Sequence, residues 1–217
     1  MESYKLIPYG ISDFAQVRRE NLYYSDKTMY LPKMELAGHF LFLIRPRRFG
    51  KSLFLSMMKC YYDINERDNF GSLFSGLWIE KNPTPLMGTF QVLYLDFSQV
   101  GGDMNNLFDR FNSRTGAVLD GFARRYERFY YEGFAKDVES KSDFRSKLDI
   151  VTIRAREFGH HLYLIVDEYD NFTNTVLNVA GEEVYHAMTH AEGFYRDVFK
   201  LFKPNFDRIL MMGVSPV

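Results

Sequence analysis

Residues 39–55 read HFLFLIRPRRFGKSLFL, a short apolar run, a basic turn that ends in Gly50-Lys51-Ser52, and a second apolar run. This pattern is typical of a phosphate-binding loop between a buried strand and a helix. Gly50 lets the backbone approach an anionic oxygen where a Cβ would intrude, and the amides that open a helix point at such a ligand. Lys51 can reach the β- and γ-phosphates of a nucleotide, and the Ser52 hydroxyl can bind Mg²⁺.

The loop departs from the usual G-x-x-x-x-G-K-[ST] pattern at its first position, where Arg45 replaces glycine and Pro46 follows. Pro46 stiffens the turn and favours a preformed loop. Arg47 and Arg48 either neutralise phosphate charge or lie in solvent, paired with an acid such as Asp170. The whole run after Pro46 is expected to contact a bound nucleotide. The candidate binding residues are Arg47, Arg48, Phe49, Gly50, Lys51, Ser52 and Leu53.

The composition describes a folded protein without a strong overall charge. The 217 residues are 46% hydrophobic and carry a formal net charge of −1, so no whole-protein field attracts nucleic acid or anionic lipid. A single cysteine, Cys60, excludes an internal disulfide framework. Because the N-terminus lacks a signal-peptide core and no apolar run is long enough to span a membrane, we expect a cytoplasmic protein without a membrane partner.

Four near-continuous apolar segments predict the buried strands of a parallel sheet. They are Phe40–Ile44, Gln91–Phe97, Leu162–Val166 and Ile209–Val214. The segments between them, including Val184–Val198, have the apolar period of helices. Alternation of strands and helices predicts an α/β fold with a doubly wound, mainly parallel sheet. Ligands of such sheets bind at the carboxyl ends of the strands, where the Gly50-Lys51-Ser52 turn lies.

We divide the chain into a leader, residues 1–35, that packs on the core, and the core itself, residues 36–217. Val217 directly follows the fourth predicted strand. A sheet of this kind ordinarily continues with a further strand and a lid. We therefore expect the chain to be a fragment of a longer protein that lacks its last strand and lid.

A second motif ends the third predicted strand, where residues 162–170 read LYLIVDEYD. An apolar strand that ends in Asp-Glu is what a P-loop NTPase places beside its phosphate loop. Asp167 is expected to hold Mg²⁺ through a water molecule, completing the metal shell begun by Ser52. Glu168 is expected to polarise the water that attacks the γ-phosphate, and successive strand residues can take two roles because they point in different directions. An acidic turn at a solvated strand end is the alternative for this motif alone.

Four strings together resemble a known family: RPRRFGKS at residues 45–52, YSDKT at 24–28, LIVDEYD at 164–170 and GVSP at 213–216. They resemble the bacterial AAA-ATPase-like family, whose members are predicted ATPases often followed by a PD-(D/E)XK nuclease-like domain. The resemblance runs from about Ile7 to the end of the chain. Arginine at the first glycine position of the loop is typical of this family, so the departure at Arg45 is a family variant by this resemblance.

The resemblance implies an ASCE-type P-loop NTPase sheet, in which the sensor strand lies between the phosphate-loop strand and the acidic strand. It implies ATP and Mg²⁺ as ligands, Lys51 and Glu168 as catalytic residues, and Ser52 and Asp167 at the metal. It also places Ser215 where a polar side chain contacts the γ-phosphate or the attacking water, with a simple turn former as the alternative. A nuclease-like domain beyond this chain and a homo-oligomer are partners that relatives use. No residue of this sequence indicates whether this chain has such a domain, forms an oligomer or binds nucleic acid.

Three further groups of polar residues have both a structural and a functional interpretation. Asp26–Thr28 either closes over the adenine or ribose or caps a helix, and the second is favoured. Asp96, at the end of the second strand, is favoured as structural over a contact with Mg²⁺ or water. His186 and His190 have the i, i+4 spacing of a zincin helix without its glutamate, so a metal site there is disfavoured.

The leading hypothesis is an ATPase that uses Mg²⁺ and drives a conformational change in an attached domain or partner. The alternative is a nucleotide-binding switch with little or no hydrolysis, motivated by the missing fifth strand. A P-loop kinase ranks third, because the adjacent Asp167 and Glu168 suit activation of water better than transfer to another acceptor.

Overall fold

The computed structural model describes residues 4–98, 107–171 and 200–214, which form a four-stranded sheet with helices on both faces. The strands are β1 Phe40–Ile44, β2 Phe90–Asp96, β3 His161–Asp167 and β4 Arg208–Gly213. The α-helices are α1 Phe14–Arg19, α2 Leu31–Ala37, α3 Lys51–Tyr62, α4 Phe70–Leu73, α5 Leu107–Tyr126, α6 Phe134–Glu139 and α7 Phe144–Glu157. Short 3₁₀ helices lie at Thr28–Tyr30, Ile64–Asn69, Trp78–Glu80 and Glu127–Phe129. Within these ranges, no helix combines the length and apolarity needed to cross a membrane.

All four strands run parallel, and their order in the sheet is β1-β4-β3-β2. The predicted α/β class and parallel sheet are confirmed. The bounds of three strands differ from the prediction by one residue at each end. All three begin one residue earlier, and β3 also ends one residue later, because backbone pairing extends to His161 and Asp167, whereas β2 and β4 end one residue earlier. The predicted helix at residues 184–198 lies outside the described residues.

The core consists of two layers, one on each face of the sheet. Along β3, Leu164 and Val166 are buried in the layer that contains α5, α6 and α7, whereas Tyr163 and Ile165 are buried in the layer that contains α3. This alternation follows from the period of two along a strand. Covering both faces explains why β2, β3 and β4 are continuously apolar rather than alternating. The prediction of a fully buried strand is wrong for β1, at the edge of the sheet, where Phe40, Phe42 and Ile44 are exposed.

The leader packs against the layer that contains α3. Phe14 in α1 and Leu31 in α2 are fully buried there, in one cluster with Leu55 and Met58 of α3. The amide of Phe14 also donates a 2.9 Å hydrogen bond to Ser56 Oγ. The leader is thereby fixed beside the helix that follows the basic loop, while a domain boundary at residue 35 stays a prediction.

The end of β4 is packed so closely that any side chain at position 213 must displace its neighbours. A Cβ there would lie 2.5 Å from Asp170 Oδ1 and 2.7 Å from Tyr169 Cε1. The amide of Val214 donates a 3.0 Å hydrogen bond to Asp170 Oδ2, and the Gly213 carbonyl accepts a 3.0 Å bond from the amide of Arg45. The segment after β3 and the start of the basic loop therefore meet at Gly213.

We expect Gly213→Ala to destabilise the protein by about 1–3 kcal/mol, because the new methyl group must displace buried Asp170 and Tyr169. Urea unfolding measures this loss. Gly121→Ala is the matched control, since Gly121 lies in α5 with open space around its Cβ position, and alanine there is expected to stabilise by about 0.5–1 kcal/mol. Equal stabilities of Gly213→Ala and the native chain would contradict the close packing.

Candidate functional site

The basic loop turns sharply between β1 and α3. Arg48 and Gly50 both have left-handed backbones, with φ of +66° and +70°. Glycine adopts this conformation freely, whereas arginine does so at some conformational cost. Arg45–Gly50 is exposed throughout, and α3 begins at Lys51. The first amides of a 12-residue helix therefore open into solvent beside a cluster of basic side chains, as in an anion-binding loop.

Lys51 is buried, with its side chain folded back inside this loop. Its Nζ donates hydrogen bonds of 3.3 Å to the carbonyl of Arg45 and 3.2 Å to the carbonyl of Pro46. The loop is thus wrapped around an ammonium group. Because the partners are neutral carbonyls, the positive charge of Lys51 stays available to an anion.

Ser52, in the first turn of α3, is joined to the acidic end of β3. Its hydroxyl donates a 2.7 Å hydrogen bond to Asp167 Oδ2, and the Tyr94 hydroxyl donates a 3.1 Å bond to the same oxygen. Asp167 Oδ1 accepts a 3.0 Å bond from the amide of Glu168. The structure therefore brings together Ser52 and Asp167, the two residues predicted to hold a metal.

Burial raises the pKa of Asp167, whose exposure is only 3%, and the negative charge of Asp96 raises it further. The hydrogen bonds from Ser52 and Tyr94 act in the opposite direction by stabilising the carboxylate. Burial also raises the pKa of Tyr94, helped by the charge of Asp167, so Tyr94 stays a hydrogen-bond donor. A carboxylate that is poorly hydrated and faces a hydroxyl favours a cation at this point.

Glu168 is half-buried and has a left-handed backbone with φ of +52°. Burial raises its pKa, as do the charges of Asp167 and Asp96, whereas Lys51 and Arg47 lower it. The two successive acids have different environments: Asp167 accepts the Ser52 hydroxyl, whereas Glu168 is influenced by the charges of both the neighbouring acids and the basic loop. Uncommon backbone conformations of this kind cluster at functional sites.

The remaining basic residues of the loop are open to solvent. Arg45 donates a hydrogen bond to the carbonyl of Ile44. Neither Arg47 nor Arg48 forms an ion pair within the described ranges, and Asp170 instead accepts the amide of Val214. The suggested pairing with Asp170 is therefore not observed.

Asp26 and Thr28 have structural roles, as favoured from the sequence. Asp26 accepts hydrogen bonds from the amide and hydroxyl of Thr28 and from the amide of Trp78, and the buried Thr28 hydroxyl accepts the amide of Ile79. Asp96 accepts the amide of Ser98, which closes the turn after β2. Its charge nevertheless reaches both Asp167 and Glu168.

Cavities flank the loop on the side of the leader. One of about 280 Å³ is lined mainly by apolar groups, among them Tyr30, Met34 and Met212, and by Lys51. A second, of about 160 Å³, lies against Gly50 and Leu53 and is closed by leader residues including Pro8 and Tyr24. Space for an apolar ring therefore exists next to the helix N-terminus.

One contributor to this site, Tyr94, was missed from the sequence, and another, Lys27, was considered only as part of a segment that closes over the adenine or ribose or caps a helix. Tyr94 lies inside a predicted apolar strand, and its signal is the period of two, which places Tyr94 and Asp96 on one face of β2. Lys27 lies between two structural residues of the leader, and its Nζ is 3.5 Å from the carbonyl oxygen of Phe49. Ser215, His186 and His190 lie outside the described residues.

Comparison with known proteins adds one relative and one family. A stretch of 78 residues is 42% identical to the "Uncharacterized protein in vnfD 5'region" of Azotobacter chroococcum mcd 1. The stretch covers 36% of this chain and only 14% of that protein. No solved structure gives a significant match. The family model described as Predicted AAA-ATPase matches residues 8–217, nearly the whole length, and the chain therefore belongs to the AAA-ATPase-like family.

Proposed function

We propose that this chain is a P-loop ATPase domain of ASCE type that binds ATP with Mg²⁺ and hydrolyses it to move an attached domain or partner. The observation that carries the proposal is the 2.7 Å hydrogen bond between Ser52 and Asp167. It joins the end of the basic loop to the acidic strand end, although the two residues are 115 positions apart in the sequence. The position of β4 between β1 and β3 supports the same fold assignment.

The oxygen donors at this point fit Mg²⁺. A serine hydroxyl and a buried carboxylate are hard oxygen ligands, and Mg²⁺ sites in phosphate-transfer proteins need only one or two such groups beside phosphate oxygens and water. When bound, the ion would neutralise charge on the β- and γ-phosphates. Ser52 would hold it directly and Asp167 through water.

The basic loop supplies the binding of the triphosphate in this proposal. Lys51 exchanges its two carbonyl partners for oxygens of the β- and γ-phosphates, where its charge stabilises the transition state. The first amides of α3 bind phosphate oxygens, while Phe49, Gly50 and Leu53 contact the nucleotide and Arg47 and Arg48 add positive charge.

Glu168 takes the part of the group that orients the attacking water. Glu168 is half-buried, its carboxylate is influenced by the charges of Lys51 and Arg47, and its backbone is left-handed. A carboxylate in this place accepts a hydrogen bond from water and directs its lone pair at the γ-phosphate. Ser215 is a further candidate for contact with that water or phosphate.

A nucleotide-binding switch is the second candidate, because a switch needs only the rearrangement that nucleotide binding imposes on Lys51. Its ammonium is engaged by the loop itself, so nucleotide binding must change the contacts of the loop whether or not hydrolysis follows. The two candidates differ only in turnover.

Calorimetry with ADP and a non-hydrolysable ATP analogue, followed by phosphate-release assays with Mg²⁺ or EDTA, tests the proposal. Binding with Mg²⁺-dependent phosphate release is expected for the ATPase. Binding without release selects the switch, and transfer only to an added acceptor selects a kinase. Absence of binding at millimolar nucleotide would contradict the nucleotide site altogether, and competition by GTP measures the preference for ATP.

Tyr94→Phe is expected to raise the Mg²⁺ concentration needed for half-maximal phosphate release by about 10-fold, since it removes one of the hydroxyl donors that orient Asp167. The test is a Mg²⁺ titration at saturating ATP. Tyr131→Phe is the matched control, because it removes a Tyr–Asp hydrogen bond, to Asp137, from another part of the surface. An unchanged Mg²⁺ requirement in Tyr94→Phe would show that Tyr94 does not orient Asp167.

A further inference from the structure

A second lysine, Lys27, reaches the basic loop from the leader. Its Nζ is 3.5 Å from the carbonyl oxygen of Phe49 and 3.7 Å from the point that a Cβ would occupy on Gly50. The same side chain lines both cavities beside the loop. Lys27 therefore lies where a ligand of the loop would enter, although it is 23 positions before Gly50 in the sequence.

The turn that carries Lys27 is anchored on both sides. Asp26 holds the amide of Trp78 at 2.7 Å, and Thr28 is buried with its hydroxyl on the amide of Ile79. These two anchors fix the backbone at Lys27 against the connection after α4. The leader therefore holds the backbone of Lys27 within side-chain reach of the basic loop.

Lys27 adds to the positive charge of the basic loop, whereas the carboxylate of its neighbour Asp26 is engaged by Thr28 and Trp78. Within the described residues Lys27 forms no ion pair, and Arg45, Arg47, Arg48 and Lys51 lie in or next to the same loop. The bond to the Phe49 carbonyl is long, at 3.5 Å, and so contributes little. Such a concentration of cations in a protein of net charge −1 favours a polyanionic ligand.

We propose that Lys27 is a second phosphate-binding lysine, which the leader supplies to the phosphates of the nucleotide held by the basic loop. This inference rests on the proposed function, because it assigns a role at the same site. In this proposal Lys51 binds the phosphates from within the loop, and Lys27 binds them from the leader. The leader is then part of the nucleotide site as well as a cover for α3.

Calorimetry with ADP and with inorganic pyrophosphate tests the assignment in the full chain. Lys27→Met keeps an unbranched side chain of nearly the same length and removes its charge, and we expect it to weaken the affinity for both ligands by at least about 10-fold. Pyrophosphate is the informative probe because it has no base or ribose. Lys33→Met is the matched control, since Lys33 is an exposed lysine of the same leader that lies over the Tyr30 ring, and it should bind both ligands as the native chain does.

The outcomes separate this inference from the proposed function. If Lys51→Ala does not bind ADP while Lys27→Met binds ADP and pyrophosphate with native affinity, the proposed role of Lys27 is wrong and the proposed nucleotide site is supported. If the native chain binds neither ligand, both proposals fail. A lowered thermal midpoint of ligand-free Lys27→Met, with pyrophosphate affinity unchanged, would assign Lys27 to loop structure and also overturn the inference.

Discussion

Lys51→Ala is expected to weaken the binding of ATP and ADP by roughly 100-fold or more. The substitution removes the buried ammonium that the loop encloses, and with it charge-assisted hydrogen bonds to phosphate that are each worth about 1.5–3 kcal/mol. The two carbonyls that lose Lys51 belong to exposed residues, Arg45 and Pro46, so water can replace it and the fold should persist.

Calorimetry gives the affinity, and a thermal scan without nucleotide checks that the variant is folded. Lys81→Ala is the control, because it removes an exposed lysine from the connection between α4 and β2. Native affinity in a folded Lys51→Ala protein would rule out the assignment of residues 45–52 as the phosphate loop.

Glu168→Gln is expected to slow phosphate release by roughly 100- to 1,000-fold while leaving ATP binding nearly unchanged. Glutamine keeps the size of the side chain but cannot carry the negative charge that polarises a water molecule. Affinity should survive, because the contacts assigned to the nucleotide belong to Lys51, Ser52 and the amides of α3. A separation of turnover from binding is the signature of a group that acts on the attacking water.

The measurement is phosphate release at saturating ATP, with affinity for a non-hydrolysable analogue determined in parallel. Glu157→Gln is the control, since this exposed glutamate at the end of α7 pairs only with Arg154 among the described residues. Equal nonzero rates in Glu168→Gln and the native chain would remove Glu168 from the reaction.

The parallel sheet could be predicted because β2, β3 and β4 are buried on both faces. A continuous apolar run such as Leu162–Val166 has few other interpretations when helical segments separate it from similar runs. Backbone pairing, however, extends beyond the apolar residues to His161 and Asp167, so composition alone could not give the strand bounds.

The meeting of Ser52 and Asp167 could also be anticipated, since each follows the carboxyl end of a parallel strand and such ends share one edge of the sheet. The contribution of Tyr94 could not be anticipated, because in the sequence Tyr94 cannot be distinguished from any other aromatic residue of a buried strand. The contact of Lys27 with the basic loop could not be predicted for a different reason: its position depends on how the leader packs against α3 and Trp78, which no local pattern records.

The ammonium of Lys51 stabilises the conformation of the ligand-free loop. Because it already satisfies the carbonyls of Arg45 and Pro46, the loop need not fold around an incoming nucleotide. Binding becomes an exchange reaction, in which two short-range contacts inside the protein are traded for contacts with phosphate. The measured affinity then reflects the difference in free energy between Lys51 bonded to the two carbonyls and Lys51 bonded to phosphate. The heat-capacity change of binding should report burial of the base rather than ordering of the loop.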